Sequence, residues 1–115
     1  MSLFKKKYSF QERFDESGRV LIKFPNKIPI VVEKDPRSKV REIDRHKYLV
    51  SDTLTMSQFL YTIRKRLKLE PEENVMLFIN NFIPAQEQFI SHYYNNYKDK
   101  DNFLYIVYSV DNTFG

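Results

Sequence analysis

Thr55-Met56-Ser57-Gln58-Phe59-Leu60-Tyr61-Thr62-Ile63-Arg64-Lys65-Arg66-Leu67-Lys68 is the stretch on which the fold turns. Thr55 followed three residues later by Gln58 is a capping box, in which each side chain satisfies a main-chain N–H of the other residue. Met56, Phe59, Leu60, Ile63 and Leu67 then recur at helical spacing, which predicts a helix with one apolar face. Arg64, Lys65, Arg66 and Lys68 form its polar face near the carboxyl end, where the helix dipole favours cations.

Strands flank this helix on both sides. Upstream, Lys47-Tyr48-Leu49-Val50-Ser51 reads as a short strand, and Ile28-Pro29-Ile30-Val31-Val32-Glu33 as another, rich in β-branched residues. Pro29 inside it predicts an edge position or a missing ladder bond. A polar connector, 34–46, separates the two. Further upstream, Ser9-Phe10-Gln11-Glu12 is a second capping box; Phe10 and Phe14 then share one helix face, and Pro25 stops the helix. Downstream, Val75-Met76-Leu77-Phe78-Ile79 is a continuous apolar run, expected as a buried central strand. Phe89, Ile90, Tyr93 and Tyr97 mark a second core-facing helix, Phe103 to Tyr108 a last strand, and 109–115 a polar tail. The order helix, strand, strand, helix, strand, helix, strand gives an α+β domain.

The chain of 115 residues suits one domain with an unstapled core. With no cysteine it has no disulfide, no thiolate metal site and no cysteine nucleophile, which fits a reducing compartment. Glycine occurs only at Gly18 and Gly115, so there is no glycine-rich phosphate loop. No apolar run approaches the roughly 20 residues that span a bilayer, and the amino terminus lacks the apolar stretch of a secretory signal. The net charge of +4 permits acidic peptides, anionic lipid or nucleic acid without choosing among them. Arg41, Arg45, Lys47 and the 64–66 run are interleaved with Glu42 and Asp44 and carry no nucleic-acid motif, so no nucleic-acid partner is expected. Lys5-Lys6-Lys7, among Phe4, Tyr8 and Phe10, suits an arm that touches lipid or protein and equally a solvated helix end. His46 and His92 make no metal pattern, and no catalytic set is present. No metal, cofactor or enzymatic activity is expected. Eight Tyr and ten Phe exceed an ordinary core, which suggests ring surfaces used in binding.

Several motifs in one order carry a resemblance. Phe24-Pro25-Asn26-Lys27-Ile28-Pro29-Ile30-Val31-Val32-Glu33-Lys34, Lys47-Tyr48-Leu49-Val50, Ile63-Arg64-Lys65-Arg66, Asn80-Asn81-Phe82-Ile83-Pro84, Phe103-Leu104-Tyr105 and the ending Phe114-Gly115 resemble the autophagy ubiquitin-like modifiers of the GABA-receptor-associated-protein type. The match runs from about Phe10 to Gly115. It implies a ubiquitin-like β-grasp with a four-stranded mixed sheet and two additional amino-terminal helices. The expected divisions are a helical extension over 1–25, a β-grasp core over 26–109 and a flexible conjugation tail over 110–115.

The resemblance also implies function. Gly115 is the expected point of conjugation to phosphatidylethanolamine on autophagic membranes, and Phe114 with Gly115 the expected recognition point for a processing and deconjugating cysteine protease. Activating and conjugating enzymes would carry the carboxylate as thioesters. Glycine suits this transfer because, without a Cβ, its backbone threads narrow active sites. The protein would be cytoplasmic and become attached to autophagosomal membranes, reaching the vacuole or lysosome. Receptors and adaptors with an aromatic-x-x-aliphatic motif would add as a strand along 47–51. By resemblance, Glu16, Val20, Pro29, Lys47, Leu49 and Phe103 wall an aromatic pocket, and Tyr48, Val50, Leu54 and Phe59 an aliphatic one. Arg45, Lys47 and Arg66 would meet acidic groups beside the motif. From the residues alone, Tyr48-Leu49-Val50 is a plain strand alternating core and surface. Ser51 and Thr62 stand where relatives carry Pro and Leu, and are expected to make the aliphatic pocket more polar. A second docking surface is implied around Leu77-Phe78-Ile79, a run that also suits a buried strand.

Overall fold

The computed structural model describes residues 2–112. The elements are α1 (Leu3–Lys7), α2 (Phe10–Lys23), β1 (Lys27–Lys34), β2 (Lys47–Ser51), α3 (Met56–Leu67), β3 (Glu73–Phe78), α4 (Ile90–Tyr97) and β4 (Leu104–Asn112). The strands form one mixed sheet in the order β2-β1-β4-β3. β1 pairs antiparallel with β2 and parallel with β4, and β4 pairs antiparallel with β3. This is the expected β-grasp with two amino-terminal helices.

Both predicted capping boxes form. Thr55 Oγ1 accepts from the Gln58 N–H while Gln58 Oε1 accepts from the Thr55 N–H, at 3.3 and 2.9 Å; Ser9 and Glu12 do the same at the start of α2. The apolar stripe of α3, Met56, Phe59, Ile63 and Leu67, packs on the sheet face made by Ile28, Ile30, Val32, Leu104, Ile106 and Tyr108. Val31 points to the opposite face, where Phe103 and Phe4 of α1 bury it. β1 is therefore covered on both sides, which explains its unbroken apolar run.

Several expectations are corrected. β1 is interior, so Pro29 marks a missing ladder bond rather than an edge. The Val32 N–H bonds His46 O at 2.7 Å, so even-numbered β1 residues address β2 and Pro29 faces the β4 side. Pairing with β4 begins only at Ile30, and no N–H is needed at Pro29. β3 is an edge strand, not a central one: Val75 and Leu77 are buried while Met76 and Phe78 are half-buried. In α4 the core positions are Ile90, Tyr93 and Tyr94; Phe89 is the N-cap and Tyr97 is exposed, packed on Phe82 at 5.0 Å. β4 runs to Asn112, pairing with Glu73, so strand occupies the start of the expected tail.

The connector 34–46 contains a core residue the polarity of the segment hides. Ile43 is buried, its N–H donates to the Tyr108 hydroxyl at 2.8 Å, and that hydroxyl donates to Arg41 O at 3.0 Å. Burial pushes the Tyr108 hydroxyl up to about 12. The turn after β3 is built by Asn80 and Asn81, both at positive φ (47° and 68°), closing Ile79 to Phe82 with bonds of 2.9 and 3.0 Å. That is the two-residue hairpin turn Asn favours, and it gives the Asn80-Asn81 motif its physical meaning.

Candidate functional site

Among the described residues, β2 has β1 on one side and no strand on the other. Because the Val32–His46 bond sets the ladder phase, Tyr48 and Val50 bond β1. Lys47 and Leu49 then turn their main-chain N–H and C=O groups outward. His46 fixes the start of this edge, with Nδ1 2.9 Å from Val32 O.

The predicted pocket residues sort onto the two faces of the sheet. Tyr48 and Val50 lie on the α3 side with Leu54, and the Tyr48 ring meets Phe59 edge-on at 5.7 Å. Leu49 is the register partner of Pro29, and Lys47 that of Val31, so both belong to the opposite face. There Lys47 Nζ reaches Glu16 Oε2 of α2 at 2.8 Å. Val20 follows Glu16 by one helical turn, and Phe103 is buried in the cluster with Val31. Leu49 is itself 38 % exposed, a large apolar side chain on an open edge.

Two cavities adjoin this edge. One of about 760 Å³ lies along α3, lined by Leu54, Ser57, Gln58, Tyr61, Thr62, Lys65 and Arg66. It holds the predicted Leu54 and Arg66 and extends the aliphatic side toward Tyr61 and Lys65, neither of which was among the expected docking residues. The hydroxyls expected to make this side polar are already engaged: Thr62 Oγ1 donates to Gln58 O at 3.1 Å, and Ser51 Oγ pairs with Thr53 Oγ1 at 2.9 Å. The other cavity, of about 970 Å³, lies at the start of β2 against α1, where Leu3, Phe4, Tyr8 and Pro36 meet Lys6, Lys7, Arg45 and Lys47. The sequence marked the basic, aromatic segment around 4–8 but not the cavity, because α1 and the connector come together only through the tertiary fold.

The charges are arranged in pairs. Arg66 Nε contacts Asp44 Oδ1 at 2.7 Å and its terminal nitrogen contacts Oδ2 at 3.4 Å. The guanidinium holds the Asp44 carboxyl below its usual range. Lys47 is paired with Glu16, whereas Arg45 lies exposed on the cavity wall. The Tyr48 hydroxyl is buried without a hydrogen-bond partner, and burial raises its pKa. Leu77 and Ile79 of the second implied surface are buried, while Phe78 is half-buried.

Among the described residues no group of His, Cys, Asp and Glu is placed to hold a metal ion, and no helix is long and apolar enough to cross a membrane. Phe114 and Gly115 lie outside the described residues.

Comparison with known proteins accords with this architecture. A family model described as autophagy protein Atg8, ubiquitin like, matches residues 12–115. Autophagy-related protein 8 of Vanderwaltozyma polyspora is 47% identical over 114 residues, covering 99% of this chain and 97% of the relative. Autophagy-related protein 8e of Arabidopsis thaliana is 46% identical, covering 99% and 93%. The crystal structure of Trypanosoma brucei ATG8 superposes with a TM-score of 0.93 at 36% identity, covering 100% of this chain and 99% of that one. Plasmodium falciparum Atg8, solved in complex with a Plasmodium falciparum Atg3 peptide, gives 0.87 at 30% identity, covering 95% and 96%. With a ubiquitin-like fold, an open β2 edge and full-length similarity of this order, the chain belongs to the Atg8 family of autophagy ubiquitin-like proteins.

Proposed function

We propose that this protein is a modifier conjugated through Gly115 to phosphatidylethanolamine on autophagic membranes, where its β2 edge recruits receptors and adaptors. Family membership supports the first half, together with the freedom of a glycine backbone, which has no Cβ, to thread narrow active sites and a chain without a cysteine of its own. The thiols for acyl transfer then belong to the activating and conjugating enzymes. A relative solved with an Atg3 peptide supports peptide capture as a mode of partner binding.

One observation carries the docking half: the two sets of pocket residues lie on opposite faces of the sheet, on either side of an open strand. In an added strand, side chains three positions apart also point to opposite faces. An aromatic-x-x-aliphatic peptide paired with β2 therefore sends its ring toward α2 and its aliphatic side chain toward α3, while the outward groups of Lys47 and Leu49 supply the ladder.

Conjugation is tested by incubating the protein with activating and conjugating enzymes, ATP and phosphatidylethanolamine liposomes. The native chain is expected to become lipid-linked and Gly115→Ala to fail or slow greatly with its fold intact. Equal lipidation of the two would overturn the claim. Docking is tested by calorimetry with synthetic peptides: shortening the spacing to aromatic-x-aliphatic puts both anchors on one face and should abolish binding. Equal binding of both spacings would remove the two-face arrangement.

A further inference from the structure

Each end of the docking edge carries cations, and they differ in how far the protein itself has satisfied them. Among the described residues neither Arg45 nor Lys65 is in an ion pair of 4.0 Å or less. Arg45 acts on the Asp44 carboxylate only through the field of its charge, and Lys65 lies over the Tyr61 ring, 5.3 Å from its centroid, within cation–π range. Arg66 is different. Its Nε and one terminal nitrogen address both oxygens of Asp44 in a fork, the geometry in which a guanidinium recognises a carboxylate. Arg66 sits in the last turn of α3 and lines the cavity beyond the aliphatic pocket; Asp44 comes from the connector just before β2. The pair spans the two elements that border this end of the site.

We propose that Asp44 is a built-in competitor for peptide carboxylates at Arg66, and so sets how strongly the aliphatic end of the docking edge selects acidic motifs. This rests on the peptide-docking reading above. The side chains of Arg66 and Asp44 are 38% and 69% exposed, so the pair is open to exchange and an incoming carboxylate can reach it. An acidic residue following the aliphatic anchor must displace Asp44 or use the other edge of the guanidinium. Displacement trades one ion pair for another, and the peptide gains little from its charge. Asp44 is thus a specificity-determining residue that need not touch the peptide. Nothing in the sequence marks it, because its partner is 22 positions away.

The test uses two synthetic peptides, an aromatic-x-x-aliphatic motif followed by Asp and the same peptide with Asn. Affinities are measured by fluorescence anisotropy for the native chain, Asp44→Asn, Arg66→Gln, the double variant, and Glu42→Gln as a control for charge alone. The Asp44→Asn change is expected to tighten the Asp peptide roughly two- to fivefold, the range of an exposed ion pair, and to leave the Asn peptide unchanged. The gain should vanish in the Arg66→Gln background and be absent in Glu42→Gln. The proposal falls if both peptides bind but Asp44→Asn does not tighten the Asp peptide. It also falls if the change tightens both peptides equally, if the gain survives Arg66→Gln, or if Glu42→Gln does as much. If neither peptide binds any variant, the docking reading itself is overturned and this proposal falls with it.

Discussion

Lys68 ends α3 in the left-handed region, at φ 54° and ψ 50°, with its N–H bonded to the last turn. A helix normally places glycine or asparagine there, because a Cβ crowds the neighbouring carbonyl. The chain tolerates a lysine because Arg41 ties the same corner, donating to Leu67 O at 2.7 Å and Lys68 O at 2.9 Å. Both acceptors are main-chain oxygens, so they survive a change of side chain. Lys68→Gly is therefore expected to stabilise the protein by about 0.5–1 kcal/mol, the relief of a strained φ less the added entropy of the unfolded chain. Urea denaturation checks it; a stability equal to or below that of the native chain would refute it.

At the scale of elements, one buried polar cluster ties α2 to the β-grasp core. Arg13 Nε donates to Asp101 Oδ2 at 2.8 Å, with side chains 9% and 0% exposed. The Asp101 carboxylate also accepts from the Phe103 N–H at 2.9 Å and the Tyr105 hydroxyl at 2.5 Å, and Ser17 donates to Asp101 O at 2.6 Å. A carboxylate so enclosed has lost its water and depends on these donors. Removing the cation with Arg13→Ala leaves it uncompensated, at a cost of about 3–5 kcal/mol. The loss should be local in part: amide exchange should rise across α2 before it rises in α3, whose core is separate. Uniform acceleration over both helices would show instead that the two units open together. The same clamp matters to function, since α2 carries Glu16 and Val20 to one side of the docking edge.

For the whole molecule, the strand tyrosines Tyr105 and Tyr108, whose hydroxyls are raised most, contribute to an alkaline limit. Tyr108 is raised from 10.0 to about 12 by burial, and Tyr105 is raised by burial and by donating to Asp101. Above pH 10 the unfolded chain releases these protons while the folded chain retains them, so the unfolded state binds fewer protons and stability falls as pH rises. The decline should begin near pH 10 and continue toward pH 12. Denaturation free energies measured at pH 8, 9, 10 and 11 check this, and a flat profile through pH 11 would contradict it. The folded sheet joins these tyrosines to the connector and to α2, so the same titration strains both attachments.

Local patterns were enough for α2, α3 and α4 and for most strands, because caps, helical spacing and β-branched runs act within a few residues; α1 was expected only from the resemblance. Thr55 with Gln58 and Ser9 with Glu12 specified their helix starts directly. The same patterns were ambiguous about layers: an apolar run such as 75–79 suits an edge strand with one covered face as well as a central strand, and only the pairing order decided between them. Pro29 was legible as a defect, but which neighbour it spared depended on ladder phase. Resemblance named most residues of the docking edge. It did not assign Asp44 to Arg66 or reveal the cavity at α1, and it left open whether the hydroxyls of Ser51 and Thr62 were already satisfied. By itself the sequence determined which segments are helix and strand and which family they compose. The tertiary structure alone decided which side chains share a face and which charges are already paired, because those contacts join residues far apart in the chain.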